Sequence, residues 1–265
     1  MRVLVTNDDG IAAPGLRALA AAVAAHADVV VAAPTVEYSG AGASLHAELL
    51  GGRLAVTPVS MSLSDVDAYA VPASPAYLVI LATLGAFGPR PDVVLSGINR
   101  GANVSRALPH SGTFGAAQTA AIHGLPAMAV SLEVLPPAAA DPATGGASVA
   151  EFFNALNDDT LLWSTAAGIA VDLLPHLSSL PSGVALNVNV PNVAVVKGVR
   201  TATLGPVGQV HLVLAETGPG YVRPVIERTR DQPPAGTDLA LLADGYATVT
   251  ALHAVREADV DVVHR

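Results

Sequence analysis

The sequence predicts an α/β fold: a mostly parallel sheet with helices on both faces, followed by a β-rich C-terminal arm. Three observations carry this. Short Val-rich runs alternate with helix-period segments through residues 1–204, the pattern of a parallel sheet covered on both sides. The first run, Val3-Leu4-Val5-Thr6, passes directly into Asn7-Asp8-Asp9-Gly10, so two carboxylates fall at the strand's carboxyl end, where open α/β sheets bind ligands. After Val199 the helical period gives way to β-like runs separated by polar linkers.

The elements follow in order. Arg2–Thr6 reads as a buried strand. Leu16, Leu19, Ala20 and Val23 keep the i, i+3, i+4, i+7 spacing of an amphipathic helix that stops near His26. Asp28–Ala33 is a second Val-rich strand, and a loop follows around Tyr38-Ser39-Gly40-Ala41-Gly42. Leu54–Val59 and Ala68–Val71 read as shorter strands. Ser74-Pro75 supplies an N-cap and a proline at the first helical position, opening a helix to about Phe87. Asp92–Ser96 is a strand, and a polar, glycine-bearing stretch runs from Gly97 to Gly112. A helix follows Thr113, and Pro126–Leu132 is a strand. Val134–Ala150, rich in Pro, Ala and Gly, reads as a surface loop. A helix within Thr160–His176 and a strand at Val184–Val190 return to the α/β pattern. Gln209–Ala215, Tyr221–Ile226 and Tyr246–His253 are β-like, with polar Arg228–Asp238 between the last two. Residues 1–204 are therefore expected to form the main domain, and 205–265 an arm. Isolated two-stranded units are marginal in water, so the arm is expected to pack on a partner subunit and return to the main domain.

Bulk properties narrow the function classes. The 265 residues include 51% hydrophobic but only 4% aromatic side chains, so the core is built from Ala, Val and Leu. A net charge of −9 and a pI near 5.2 argue against binding duplex nucleic acid or anionic lipid, which need basic surface. An anionic small substrate stays open, because a bound metal inverts the local field. The chain has no cysteine, which excludes disulfides and thiolate metal sites and fits a reducing cytoplasm, the expected location. The N-terminus does not read as a signal peptide. Mean hydropathy is +0.50, yet no apolar run reaches the roughly 18 residues of a membrane helix.

Several clusters can carry chemistry. Adjacent Asp8 and Asp9 repel unless water or a cation separates them, and oxygen-only ligands suit a hard divalent ion such as Mg²⁺ or Mn²⁺. The plain alternative is a solvated Asp-Asp-Gly turn. Ser39-Gly40 reads as an ordinary turn when taken alone. Ser96-Gly97-Ile98-Asn99-Arg100-Gly101-Ala102-Asn103 is either a turn or a tight loop supplying carboxamide ligands. His110-Ser111-Gly112-Thr113 opens a helix, where hydroxyls and backbone N–H groups suit phosphate; capping by Thr113 is the alternative. Thr237-Asp238 and Gly245-Tyr246 read as structural. His46, His123, His176, His211, His253 and His264 lack metal-ligand spacing, and His110 alone lies beside a candidate site. No GxSxG elbow, Walker A loop or GxGxxG fingerprint is present.

Taken together and in this order, Asn7-Asp8-Asp9-Gly10, Ser39-Gly40, Ser96–Asn103, Ser111-Gly112-Thr113, Leu186-Asn187-Val188-Asn189-Val190-Pro191 and the Thr237-Asp238…Gly245-Tyr246 tail resemble the SurE (survival protein E) family of nucleotidases over essentially the whole chain. The resemblance implies a Rossmann-like fold with a swapped C-terminal arm in a homodimer or homotetramer. It implies a metal-dependent phosphomonoesterase for nucleoside 5′- and 3′-monophosphates, with one divalent cation, Mg²⁺ or Mn²⁺, per subunit. It makes Asp8, Asp9, Ser39 and Asn99 the metal ligands, and Asn103, Ser111, Gly112 and Thr113 the phosphate-binding set. Asn7, Asp8 and Asp9 form the implied catalytic group, with Asn7 or a carboxylate oxygen not bound to metal orienting the attacking water. The chain departs from the family pattern where Ala73-Ser74-Pro75-Ala76-Tyr77 replaces Gly-Thr-Pro-x-Asp and where His110 replaces Tyr. Those departures motivate a second reading, a non-catalytic or altered-specificity protein binding nucleotide or phosphate. A third is another α/β enzyme with an acidic metal site, such as a glycosyltransferase.

Overall fold

The computed structural model describes residues 1–134, 156–206, 210–228 and 232–257. Apart from Val134, the loop expected over 134–150 lies outside them, as does Gln209. The main sheet has nine strands, and its centre is parallel: β1 (Arg2–Thr6), β2 (Asp28–Pro34), β6 (Asp67–Val71), β7 (Val93–Arg100), β8 (Ala127–Leu132) and β9 (Val184–Val190). The short β5 (Thr57–Pro58) closes one edge; β13 (Ala247–His253) and β10 (Val199–Thr201) close the other, giving the order β10-β13-β9-β8-β7-β1-β2-β6-β5. β13 runs antiparallel to β9, so the last described strand lies inside the main sheet.

Two apolar layers cover the sheet, as continuous Val-rich strands require. On one face α1 (Pro14–Ala24) and α4 (Trp163–Leu173) pack on Val3, Val5, Leu95, Met128, Val130 and Val188. On the other, α2 (Pro75–Thr83) and α3 (Gly112–Ile122) pack on Leu4, Val30, Val94, Ala127 and Ala129. The alanines of α3 have a packing role. Ala116, Ala117 and Ala120 are fully buried, and a Cβ on Gly115 would lie 2.5 Å from the Gly42 carbonyl oxygen. Small residues let this helix approach both the sheet and the loop after β2.

Some elements differ from expectation. α2 ends at Thr83, short of Phe87, and Gly85 turns the chain at φ +86°. Phe87 instead stacks on Tyr69, with ring centroids 5.6 Å apart. The strand expected over Leu54–Val59 divides: Arg53–Leu54 (β4) pairs with Leu49–Leu50 (β3), while β5 joins the main sheet. β7 continues to Arg100 because Asn99 and Arg100 still pair with Ser131 and Leu132, after a register shift at Gly97. A 3₁₀ helix occupies Ser105–His110, and a short helix α5 (Asp238–Ala243) follows the polar linker. In the arm, β11 (Val210–Gly218) and β12 (Tyr221–Arg228) form a separate antiparallel hairpin. Among the described residues, no helix is long and apolar enough to cross a membrane.

Candidate active site

β1 delivers Asn7, Asp8 and Asp9 to the sheet's carboxyl edge. Asp8 is 3% exposed, and its Oδ1 accepts a hydrogen bond from Thr113 Oγ1 at 2.6 Å. The start of α3 packs directly on this carboxylate: a Cβ on Gly112 would lie 2.7 Å from Asp8 Oδ2, which explains glycine there. Asp9 is half-buried, and its Oδ2 accepts the Arg100 backbone N–H at 3.4 Å. Burial pushes the Asp8 carboxyl up, against hydrogen bonding from Thr113 and backbone amides. Burial, and then the charge of Asp8, push Asp9 up to about 7, while the backbone N–H and charge of Arg100 act in the opposite direction. Glu37 adds to both shifts.

Asn7 is fully buried. Its Nδ2 donates to the Gly10 carbonyl at 3.0 Å, and its Oδ1 has no hydrogen-bond partner. Ser39 lies on an exposed loop drawn over Asp8 by a 2.7 Å hydrogen bond from Tyr38 N–H to the Asp8 carbonyl. Ser39 Oγ donates to Glu37 Oε1 at 2.5 Å, which leaves its lone pairs for a cation. The bulge in β7 presents Asn99, whose Nδ2 donates to the Gly101 carbonyl at 2.7 Å, leaving Oδ1 as the free acceptor.

The implied phosphate set divides on inspection. Ser111, not Thr113, is the N-cap of α3: Ser111 Oγ accepts the Phe114 N–H at 3.0 Å and keeps its own proton to donate. Thr113 is wholly buried, donates to Asp8 and accepts from Asn103 Nδ2 at 3.4 Å, so its hydroxyl positions Asp8. Asn103 is clamped by β8 and β9. Its Nδ2 donates to Ser131 Oγ at 2.9 Å, its backbone N–H to Asn189 Oδ1 at 2.7 Å, and its carbonyl accepts from Asn187 and Asn189.

Sequence reasoning gave no role to Asn187, Asn189, Ser131, Glu37 or Arg100. Two asparagines spaced by two in an otherwise apolar strand were the available signal, because that spacing puts both on one face. Arg100 pairs with Asp158 at 2.8 Å, and the Asp158 carbonyl accepts Trp163 Nε1–H at 3.2 Å. Buried Asp238 receives the N–H groups of Ser105, Gly205 and Leu239 at 2.6, 2.9 and 2.9 Å, tying the C-terminal segment to the start of the 3₁₀ helix. His110 is exposed at that helix's end. Tyr77, at the departure from the family pattern, packs on the apolar layer under α2. Its neighbour Ser74 donates to the Ser44 carbonyl and accepts the His46 N–H, bracing the loop after β2.

The ligand set that the resemblance implies, Asp8, Asp9, Ser39 and Asn99, is two carboxylates with a hydroxyl and a carboxamide oxygen. Among the described residues no group of three or more acidic or histidine side chains adds to it. Such hard oxygen ligands fit a divalent cation of the Mg²⁺ or Mn²⁺ kind. Fold and site together define a Rossmann-like α/β protein with an acidic, oxygen-lined site at the sheet's carboxyl edge, next to a helix N-terminus. The chain belongs to the SurE family: the family model described as Survival protein SurE matches residues 3–209. It is 36% identical over 259 residues to a protein of Syntrophobacter fumaroxidans named 5′-nucleotidase SurE, covering 96% of this chain and 93% of that one. It is 35% identical over 260 residues to a Salmonella arizonae protein named 5′/3′-nucleotidase SurE, covering 96% and 90%. The crystal structure of the SurE protein from Aquifex aeolicus superposes with a TM-score of 0.72 at 27% identity, covering 96% of this chain and 94% of that chain.

Proposed function

We propose that the protein is a divalent-metal-dependent phosphomonoesterase that hydrolyses nucleoside 5′- and 3′-monophosphates to nucleoside and phosphate. The observation that carries this reading is the Asp8–Asp9 pair: two adjacent, desolvated carboxylates, each pushed toward protonation and flanked by neutral oxygens. The names of the SurE relatives support the substrate class. Asp8 and Asp9, with Ser39 and Asn99, would hold one Mg²⁺ or Mn²⁺ ion per subunit. When bound, the ion neutralises phosphoryl oxygens and acidifies bound water.

The chain's own residues do the rest. Asn7 Oδ1, an acceptor without a protein partner, orients the attacking water. The Ser111 hydroxyl and the first N–H groups of α3 bind phosphoryl oxygens at the helix N-terminus. Thr113 and Asn103 act one step back, the first on Asp8 and the second between α3 and β9. With both carboxylates committed to holding the ion, water rather than a carboxylate would attack phosphorus, the P–O ester bond would break, and the leaving oxygen would take a proton. Exposed His110, next to Ser111, is the candidate donor of that proton.

Phosphate release from a panel of nucleoside 5′- and 3′-monophosphates, with sugar nucleotides as comparison, tests the assignment. Turnover confined to sugar nucleotides would overturn it. The lack of cysteine is in keeping with a cytoplasmic setting. We also propose a homodimer or homotetramer in which the 205–265 arm exchanges between subunits. Among the described residues the β11–β12 hairpin pairs with no other strand, and it exposes Leu214, Tyr221 and Val222 by 60%, 51% and 56%. Apolar surface of this kind suits a partner subunit.

A further inference from the structure

The phosphoryl-binding groups leave the other half of a nucleotide unaccounted for. A nucleobase is a flat π surface and binds well against an aromatic ring. Aromatic side chains are scarce here, at 4% of residues, so their placement is informative. Four of the five tyrosines are engaged elsewhere: Tyr69 stacks on Phe87, Tyr77 packs under α2, Tyr221 donates to Glu216, and Tyr246 lies beneath Arg200. Trp163 is tied to the Asp158 carbonyl, and Phe114 is buried within α3.

Among the described aromatic side chains, Tyr38 is placed differently. Its backbone N–H binds the Asp8 carbonyl at 2.7 Å, and its neighbour is Ser39, so the side chain stems from the rim of the acidic site. The residue is half-buried rather than enclosed. Its ring lies 6.0 Å from the exposed imidazole of His46 at a 45° tilt, a contact that braces the half-buried ring. His46 is itself fixed through its backbone by Ser74 and by the Ser74 N–H. The platform is therefore attached at two points, to β1 through Asp8 and to α2 through Ser74.

We propose that Tyr38, braced by His46, is the stacking platform for the nucleobase of the substrate. This rests on the phosphomonoesterase reading for the position of the phosphoryl group. The test compares adenosine 5′-monophosphate with ribose 5-phosphate, which carries the same phosphoryl-ribose and no base. Binding is measured by calorimetry and turnover by phosphate release, for the parent, Tyr38→Ala and Tyr38→Phe. Tyr38→Ala should lower the preference for the nucleotide about tenfold, in Kd and in KM more than in kcat. Tyr38→Phe, which keeps the ring, should retain the preference within about twofold. An unchanged preference in Tyr38→Ala, or a loss as large in Tyr38→Phe, would overturn the platform. If neither compound is hydrolysed but the binding preference still falls in Tyr38→Ala, the platform stands and the phosphohydrolase reading fails.

Discussion

Asp8 and Thr113 hold each other 105 residues apart in sequence, and the pair separates two roles that adjacent residues of one motif would otherwise share. Thr113→Ala removes a hydrogen bond to a buried carboxylate, worth about 1.5–3 kcal/mol. It should therefore weaken metal binding and lower melting temperature together. Ser111→Ala removes the N-cap, at a cost of about 1 kcal/mol, and a phosphate donor. It should weaken inhibition by free phosphate while leaving metal affinity nearly unchanged. Titration calorimetry with Mn²⁺, beside phosphate inhibition constants, checks the split; equal effects of both variants on metal affinity would contradict it. The charge states of Asp8 and Asp9 make a second prediction. Both folded-state values lie above the ordinary 3.8, with Asp9 at about 7, so between these limits the folded protein binds more protons than the unfolded chain. Metal-free stability should accordingly fall as pH rises from about 4 through about 7. Metal affinity should rise across the same window, because cation and proton compete for the same oxygens. Melting curves in chelator at pH 5 and pH 8 measure this: the account expects the lower melting temperature at pH 8, and Asp8→Asn should reduce the difference.

The bulge in β7 decides how Asn99 faces the site. Gly97 sits at φ +140°, where an added Cβ would lie 2.3 Å from the Val130 carbonyl oxygen, so alanine there is strained both by conformation and by contact. Gly183, at φ +77° with nothing near its missing Cβ, is the matched control. Gly183→Ala should cost on the order of 1 kcal/mol through conformation alone. Gly97→Ala should cost clearly more and also lower metal affinity by displacing Asn99. Denaturant unfolding of both variants tests this, and equal losses would assign no role to the close approach. Strand and helix identities were readable here because the strands are continuous apolar runs and α1 keeps a clean period. The 3₁₀ helix and α5 were not, because short helices in polar stretches rest on long-range ties such as Asp238 to Ser105, 133 residues away. The Asp8–Asp9 pair was legible because both residues follow one strand. The Asn187–Asn189 clamp on Asn103 was not, because only the sheet order brings β9 beside the loop after β7.

At the scale of the whole molecule, a chain of net charge −9 is asked to bind a dianion. Arg100, which lies by the site, is paired with Asp158, and on the proposed reading the positive charge a phosphomonoester needs would come from a cation held by Asp8 and Asp9. The arm follows a similar logic of incompleteness: a hairpin with exposed Leu214, Tyr221 and Val222 would gain an apolar partner in the proposed oligomer. Light scattering should therefore give a dimer or tetramer at micromolar concentration, and deletion of residues 210–228 should shift it toward monomer; a monomeric full chain would contradict arm exchange. The central claim, that Asp8 and Asp9 form a metal centre for phosphomonoester hydrolysis, meets its most direct test in one assay. Phosphate release from adenosine 5′-monophosphate is followed after exhaustive chelation and again after Mg²⁺ or Mn²⁺ is restored, in the parent and in Asp8→Asn. The account predicts loss of activity on chelation, recovery with metal in the parent, and turnover lower by orders of magnitude in the folded variant at any metal concentration. Full activity after chelation, or an Asp8→Asn variant as active as the parent, would contradict it.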